Sequence, residues 1–415
     1  MSKGEKAVLD KLLGDMEKGK KEKLHIFGLI LLLIPFFKPG YFEVSVPFMD
    51  QLFNLAKIPS ALIIFAMCVR ELFKSRRVSL AACALIVLEA WSIANVLLHQ
   101  GMYVSPIAQA VYVLVIGALI EIQVREHANE LLNAFLILYE LLIGLNFVCM
   151  VFIPQGMYYT GADNTWKNWL LGYRNMFAFY FIPALALELV NSHRTGKRMR
   201  LHVMMAICTI SMIQSTSKTG LLVVLVFDIA YMTRLYMTKV FNILSVGITY
   251  IAAFVSIVLL GLQTLFKPLF DLLGRNITFT GRTEIWERTI QMITKSPILG
   301  YGVQAEDVRG EMMGLWNGVK AHNFILEQQY CFGIVGTILM IVFCGMLFWA
   351  LYCFRKHPCA GAMCLGMACY ALLMLMESHI NNMPMYSFLF LACFVQQFIS
   401  QGTGNKSDAA QKNVL

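Results

Sequence analysis

The stretch LLNAFLILYELLIGLNFVCMVFI, residues 131–153, indicates the fold class of this chain. Its one charged side chain is Glu140, and nearly all of the others are apolar. A helix of about 20 apolar residues is long enough to cross the hydrocarbon layer of a bilayer. We therefore predict that this segment spans a membrane.

Blocks of similar character recur along the whole chain. Of its 415 residues, 58% are hydrophobic and 14% are charged, whereas soluble domains average about 25% charged residues. We predict an all-α integral membrane protein with about twelve transmembrane helices. The expected spans are 24–37, 55–72, 79–98, 104–120, 131–153, 171–190, 201–214, 219–236, 240–262, 323–352, 359–376 and 384–400. The first is short for a span, so its helix should begin earlier or end where the bilayer is thin.

The distribution of Lys and Arg predicts the orientation. With the N-terminus in the cytosol, 22 of the 34 basic residues lie on the inner side, as the positive-inside rule requires. We expect a multi-pass protein with both termini cytosolic. The expected parts are a cytosolic tail at 1–23, helices one to nine at 24–262, an extracytoplasmic loop domain at 263–322, helices ten to twelve at 323–400, and a cytosolic tail at 401–415.

Composition also argues against several classes of function. The net charge of +9 comes from residues at the ends of apolar blocks, which is where topology is decided, so we expect no nucleic-acid partner. All eleven cysteines lie in or beside apolar blocks, without a CxxC pair, so they predict neither a disulfide framework nor a metal site. The chain also lacks a Walker A motif and an Asp-x-Asp pair.

The predicted outer loop contains an amphipathic helix between Glu284 and Lys295. At 100° per residue, one face of that helix collects the less polar side chains, and charged side chains occupy the other. The less polar set is Ile285, Trp286, Thr289, Ile290, Met292 and Ile293. We expect this helix to lie on the outer membrane surface.

Polar motifs concentrate in this loop and at the start of the next span. They are Gly281-Arg282-Thr283-Glu284-Ile285-Trp286, Ser296-Pro297-Ile298-Leu299-Gly300-Tyr301-Gly302, His322-Asn323-Phe324-Ile325-Leu326-Glu327 and Phe332-Gly333-Ile334-Val335-Gly336. Their order and spacing resemble the bacterial O-antigen ligase/polymerase superfamily, which shows Gly-Arg-x-x-x-Trp, Pro-Leu-x-Gly-x-Gly and His-Asn-x-x-Leu-Glu. The Ile298-Leu299 pair is a minor departure from that pattern.

Two shorter motifs extend the resemblance toward the N-terminus. Gly172-Tyr173-Arg174-Asn175 opens the sixth expected span, where the family often has a glycine and an asparagine. Ser215-Thr216-Ser217-Lys218-Thr219-Gly220 joins the seventh and eighth spans, where the family often has Ser-Arg. Lys218 replaces that arginine, which keeps the charge but loses the two-pronged geometry for phosphate.

The resemblance implies glycosyl transfer outside a bacterial cytoplasmic membrane, in cell-envelope polysaccharide synthesis. The implied donor is a glycan on a polyprenyl (undecaprenyl) pyrophosphate, and the acceptor is a sugar hydroxyl. The departing pyrophosphate needs cations, ideally arginine forks. The attacking hydroxyl needs a base that titrates near neutral pH, which suits histidine.

These needs assign roles to the motif residues. His322 is the expected base and Arg282 the expected catalytic cation. Substrate-binding roles are expected for Arg174, Lys218, Arg288, Asn323 and Glu327. We expect no cofactor and no metal. The other expected partners are the lipid bilayer, a flippase and a chain-length regulator.

Simpler explanations remain open for these residues. Arg282 can cap the surface helix, Arg174 can anchor a lipid headgroup, and Glu327 can pair with Asn323 one turn earlier. Ionisable groups inside spans are candidates by default, and here they are Glu89, Glu140 and Asp228. Glu377 and His379, at an expected outer mouth, can face the same cavity as the motif residues.

Three alternatives to the favoured polymerase remain open. A ligase would transfer the glycan to lipid A core, and it shares these motifs. A flippase for the same lipid-linked glycan would belong to another class, but transporters usually show repeated halves and broken helices at the midplane. A non-catalytic membrane scaffold is the third.

Overall fold

The computed structural model describes residues 3–99, 104–160, 166–262, 281–315, 320–380 and 382–400, without the side chains of residues 3–16 and 18. The expected C-terminal tail, 401–415, and the first part of the expected loop, 263–280, lie outside the described residues. The architecture is an all-α bundle with one small antiparallel sheet.

The helices are numbered here in chain order. They are α1 (Lys3–Leu33), α2 (Gly40–Ser45), α3 (Pro47–Ser75), α4 (Leu80–Leu98), α5 (Val104–Phe152), α6 (Phe177–Thr195), α7 (Met199–Ser215), α8 (Lys218–Met232), α9 (Ile243–Ala253), α10 (Arg282–Lys295), α11 (Glu306–Met313), α12 (Phe324–Cys353), α13 (Pro358–Met374), α14 (Met383–Ala392) and α15 (Val395–Ser400). A π-helical segment, Phe254–Leu259, continues α9.

Five helical segments among the described residues are long and apolar enough to cross a membrane. They are Pro47–Ser75, Leu80–Leu98, Val104–Phe152, Arg174–Thr195 and Phe324–Cys353. Shorter apolar helices are Ile243–Leu259, Pro358–Met374 and Met383–Ala392. The chain is therefore a helical membrane protein, while the count of twelve spans, the orientation and the five sequence divisions stay predictions.

Several helix boundaries differ from the expected ones. α1 begins at Lys3 and runs through the expected boundary at residue 23, so the helix that contains the first expected span begins earlier than that span. The expected spans 104–120 and 131–153 are two arms of α5, which breaks at His127 (φ −128°, ψ 38°). The last span, expected at 384–400, divides into α14 and α15.

A three-stranded sheet occupies the place where the sixth span was expected to begin. Strands β1 (Tyr158–Thr160), β2 (Trp166–Trp169) and β3 (Gly172–Tyr173) pair antiparallel in that order. Trp169 fixes the sheet to the bundle, because its buried ring donates from Nε1 to the Ile153 carbonyl at 2.8 Å. The helix α6 therefore begins at Phe177, and the prediction that it begins at residue 171 is wrong.

The centre of the bundle is α6, whose side chains are buried from Phe177 through Ser192. It packs against α13 and α5. Gly366 of α13 permits close approach, since a Cβ there would lie 2.8 Å from the Cβ of Ala186. Small residues at such crossings let helix backbones approach closely within a membrane.

The amphipathic helix is present as α10, but protein covers its buried face. Trp286 is 2% exposed and donates from Nε1 to the Ala321 carbonyl at 2.9 Å. Met292 packs with Met313 and Tyr330. The periodicity indicated a buried face without indicating what buries it, and the location of α10 on a membrane surface stays a prediction.

Candidate active site

A buried carboxylate, that of Glu377, joins four separate segments of the chain. It lies in the connection after α13 and is 3% exposed. Its Oε1 accepts from Nη2 of Arg282 at 3.0 Å and from Nδ2 of Asn175 at 2.9 Å. Its Oε2 lies 3.7 Å from Nδ1 of His322. We call the set Arg282, His322, Glu377 and Asn175 the Glu377 cluster.

The partners of Glu377 keep its carboxylate charged. Burial alone would raise the pKa of Glu377, but the interaction with His322 and the charge of Arg282 outweigh burial and lower it. Taking a charge out of water is costly unless the charge is paired and hydrogen-bonded. A fixed anion therefore stands between an arginine and a histidine.

His322 is held in an unusual backbone conformation by its neighbours. Its φ of 48° lies in the left-handed region, which costs a non-glycine residue about 1–3 kcal/mol. On one side, the Ala321 amide donates to Oε2 of Glu327 at 2.8 Å. On the other, Asn323 caps α12 by accepting from the Leu326 amide at 3.1 Å. The two anchors direct the imidazole toward Glu377 and leave its side chain 32% exposed.

Arg282 opens α10 and uses its guanidinium as a fork. Nη1 donates to the Met376 carbonyl, and Nη2 donates to Glu377. Its side chain is 11% exposed. A guanidinium has five N–H donors in fixed geometry, so Arg282 can hold this connection and still present donors to an anion.

A second group of cations adjoins the cluster through Asn175. Arg174 donates from Nη1 to Oγ1 of Thr216 at 2.9 Å. Ser217 donates from Oγ to Oδ1 of Asn175 at 2.9 Å and also caps α8. Lys218 is the first residue of α8. The two short sequence motifs, 172–175 and 215–220, thus meet each other and meet Glu377.

Three other expected site residues occupy different surroundings. Asn323 is fully buried, and its Nδ2 donates to the Leu375 carbonyl at 3.2 Å. Glu327 is buried against Arg309, with 2.6 Å between Oε1 and Nη1. Arg288 is exposed on α10, and six residues at 100° each turn it about 120° away from Arg282. Substrate contact by these three residues stays a prediction.

The two glycine motifs, 296–302 and 332–336, pack against each other. α12 is interrupted at Gly333 (φ 63°, ψ −167°), and the 296–302 turn pairs with the freed backbone. Tyr301 donates from its amide to the Tyr330 carbonyl at 2.9 Å, and the Ile334 amide donates to the Pro297 carbonyl at 2.9 Å. A Cβ at Gly333 would lie 2.1 Å from the Ile298 oxygen, so this crossing excludes any side chain.

His379 borders the cluster as a neutral ring. It contacts the Phe179 ring edge-on, with 4.9 Å between the two centroids. Burial, followed by the positive charge of Lys320, lowers the pKa of His379 to about 4. A ring with that pKa is uncharged near pH 7, so His379 adds no cation to the site.

The ionisable groups within spans have their own local surroundings. Glu140 is paired with Arg200 through two hydrogen bonds of 2.8 and 2.9 Å. Asp228 accepts from Oγ1 of Thr209 at 2.8 Å. Glu89 is fully buried, and neither of its oxygens has a hydrogen-bond partner among the described residues. None of the contacts described links these three acids to the Glu377 cluster.

Two residues central to the cluster were outside the expected site set. Asn175 stood in a motif without an assigned role, and Glu377 was only a candidate at a span mouth. Glu377 is 95 residues from Arg282 and 202 from Asn175 in sequence. The available signal was the run Glu377-Ser378-His379, which is polar directly after an apolar block.

Comparison with known proteins gives matches to part of the chain. The O-antigen ligase family model matches residues 203–341. The exopolysaccharide production protein ExoQ of Rhizobium meliloti (strain 1021) is 35% identical over an alignment of 77 residues that covers 16% of this chain and 18% of that relative. The matched range includes Lys218, Arg282 and His322, whereas Arg174 and Glu377 lie outside it. Over residues 203–341, this helical membrane protein is therefore similar to the O-antigen ligase family.

Proposed function

We propose that this protein is a surface-polysaccharide polymerase. It transfers a glycan from a polyprenyl-pyrophosphate donor to a sugar hydroxyl on the outer side of the cytoplasmic membrane. The observation that carries the proposal is the position of Glu377 between His322 and Arg282. One buried anion there aligns a base for the acceptor with a cation for the leaving group.

The base is His322, and Glu377 sets its tautomer. With Nδ1 directed at the Glu377 carboxylate, the proton of the neutral imidazole is held on Nδ1 and the lone pair is on Nε2. In a neutral histidine, a hydrogen bond from one ring nitrogen keeps the proton on that nitrogen and leaves the other nitrogen free to accept a proton. The separation of 3.7 Å exceeds a hydrogen bond, and such pairs commonly tighten once substrate is bound.

The transfer balances as a displacement at the anomeric carbon of the donor. The acceptor oxygen forms the new bond to that carbon while the bond from carbon to the pyrophosphate oxygen breaks. The hydroxyl proton passes to Nε2 of His322, and the electron pair of the broken bond leaves with the pyrophosphate. Arg282, Arg174 and Lys218 stabilise the charge that develops on the leaving group.

Side-chain cations can supply the charge stabilisation that a metal ion supplies in other transferases. We therefore propose a metal-independent reaction without a cofactor. The acceptor in this account is another lipid-linked repeat unit, as expected of a polymerase. The matched ExoQ segment belongs to a protein named for exopolysaccharide production, which favours a polymerase over a ligase that uses lipid A core.

Reconstitution tests this function directly. The purified wild-type protein in liposomes is given polyprenyl-pyrophosphate oligosaccharide, with EDTA in one series and without it in the other. We expect lipid-linked chains of several repeat units in both series. A product found only when lipid A core is supplied indicates a ligase. Movement of the donor across the bilayer without any new glycosidic bond indicates a transporter and overturns the proposal.

A further inference from the structure

A second cluster of ligand-type side chains lies where α1 meets α5. One ligand atom from each of His25, His127 and Glu130 lies within 4.8 Å of the other two. The two histidine rings meet edge-on with centroids 4.4 Å apart. Nδ1 of His127 lies 3.4 Å from Oε1 of Glu130. Two imidazoles and one carboxylate thus face one small volume.

The backbone of α5 departs from helical geometry at His127, one of the three clustered residues. His127 is the one residue of α5 with non-helical angles. Sharp helix kinks usually have an identifiable cause such as proline or glycine, yet residues 123–131 contain neither. Shared coordination of an ion by both histidines would explain why α5 breaks at this residue.

A buried amide lies beside the cluster. Gln123, one turn before the break, is 4% exposed. Its side chain interacts with the His25 ring, while its Oε1 lacks a well-formed hydrogen bond within the described part of the chain. Buried polar atoms without partners are uncommon. An ion-bound water beside His25 would give this oxygen a donor.

The surrounding charges permit a cation here. Arg125 is paired with Glu121, and Lys74 is paired with Glu126 at 3.1 Å. Lys74 and Arg125 therefore each have a counter-ion of their own. Lys23 on α1 is exposed, so solvent screens its charge.

We propose that His25, His127 and Glu130 bind a divalent transition-metal ion such as Zn²⁺, which fastens α1 to the break in α5. Imidazole with carboxylate suits Zn²⁺ and similar ions, whereas Mg²⁺ and Ca²⁺ favour oxygen ligands. Zn–N bonds of about 2.0–2.1 Å place tetrahedral ligand atoms about 3.4 Å apart. Side-chain rotations can bring the ligand atoms from their present separations of up to 4.8 Å to that distance. This proposed site departs from the sequence expectation of no metal, whereas the transfer reaction proposed above needs none.

Metal binding by the purified full-length protein tests this site. The protein carries a tag without histidines, is stripped with chelator and is titrated with Zn²⁺ in nanodiscs by calorimetry. We expect one Zn²⁺ per chain. His25→Ala and His127→Ala should each weaken binding by more than about 100-fold, since even outer residues of metal sites cost 10–100-fold. His202→Ala and His357→Ala are matched controls that should bind as wild type does.

Thermal unfolding separates lost binding from lost folding. In chelator, the His25→Ala and wild-type proteins should melt at similar temperatures. Added Zn²⁺ should raise the melting temperature of wild type and of His202→Ala but not that of His25→Ala. The proposal is overturned if stripped wild type binds no Zn²⁺ at micromolar concentrations, or if His25→Ala binds it undiminished. Transfer activity is not needed for either readout, so the result is independent of the polymerase assignment.

Discussion

Replacing Glu377 by glutamine keeps the size of the side chain and removes its charge. Arg282, Asn175 and His322 all direct nitrogen atoms at the carboxylate. An amide has one acceptor oxygen, so at least one of these nitrogens must face an NH2 group instead. Hydrogen bonds to charged groups are worth about 1.5–3 kcal/mol, and we expect Glu377→Gln to lose a similar amount of stability.

The effect on turnover should be larger than the effect on stability. Without the anion, the proton of His322 is no longer held on Nδ1, and Nε2 is less often available as the base. Loss of general-base catalysis lowers a rate by about 10²–10⁴-fold, equivalent to about 2.7–5.4 kcal/mol at the transition state. Glu377→Asp keeps the charge and should recover part of the rate.

Turnover of lipid-linked donor in liposomes, normalised to folded protein, measures this effect. The matched control is Glu311→Gln, the same change at an exposed residue of α11. Wild-type turnover by Glu377→Gln, or a loss fully accounted for by less folded protein, would refute the positioning role.

Stability against pH gives a second readout. Because the pKa of Glu377 is lower in the folded state than its unfolded value, its stabilisation is present above the unfolded pKa of about 4.3. It is lost as the pH falls through the folded pKa. The difference in melting temperature between wild type and Glu377→Gln should therefore shrink below about pH 4. A constant difference down to pH 3 would contradict the charged pairing.

Other substitutions test the remaining parts of the account. Arg282→Lys should lose most activity at near-normal protein level, because one ammonium cannot reproduce the two contacts of the guanidinium with Met376 and Glu377. Full extension of the glycan chains in cells that carry Arg282→Lys would contradict this prediction. Lys218→Arg should be tolerated in the same assay. Gly333→Ala should cut the amount of folded protein in membranes severalfold, since its Cβ meets the Ile298 oxygen, whereas Gly345→Ala, with open space around it, should not. A cysteine at Asp307, which is exposed on α11, should be labelled from outside in a cysteine-free background, and labelling only from the cytosol would reverse the topology.

The sequence was a good guide where one local pattern decides the structure. The apolar block 79–98 predicted α4, which runs from Leu80 to Leu98 after a Ser79 cap. The 100° periodicity after Glu284 predicted α10. Apolar length and helical period are properties of a single segment, so no knowledge of partners is needed to recognise them.

The sequence was a poor guide wherever a partner decides the structure. The buried face of α10 gave no indication that Ala321 and Tyr330 would cover it. The sheet of β1, β2 and β3 was missed because its strands are only two to four residues long. Glu377 and Asn175 are distant in sequence, as are His25 and His127, and no spacing rule connects such pairs. Motif resemblance placed His322 and Arg282 in one site, but the anion that joins them came from the structure.

The central claim is that His322 takes the proton of the acceptor hydroxyl. The most direct measurement is single-turnover transfer from purified lipid-linked donor by His322→Gln. The control is His202→Gln, which lies near the start of α7, whereas the residues just after the end of α7 contact the cluster. Glutamine can hydrogen-bond a hydroxyl but cannot accept its proton. We predict a rate about 10²–10⁴-fold below wild type for His322→Gln, with donor binding retained and with an unchanged rate for His202→Gln. A rate near that of wild type for His322→Gln would contradict the account.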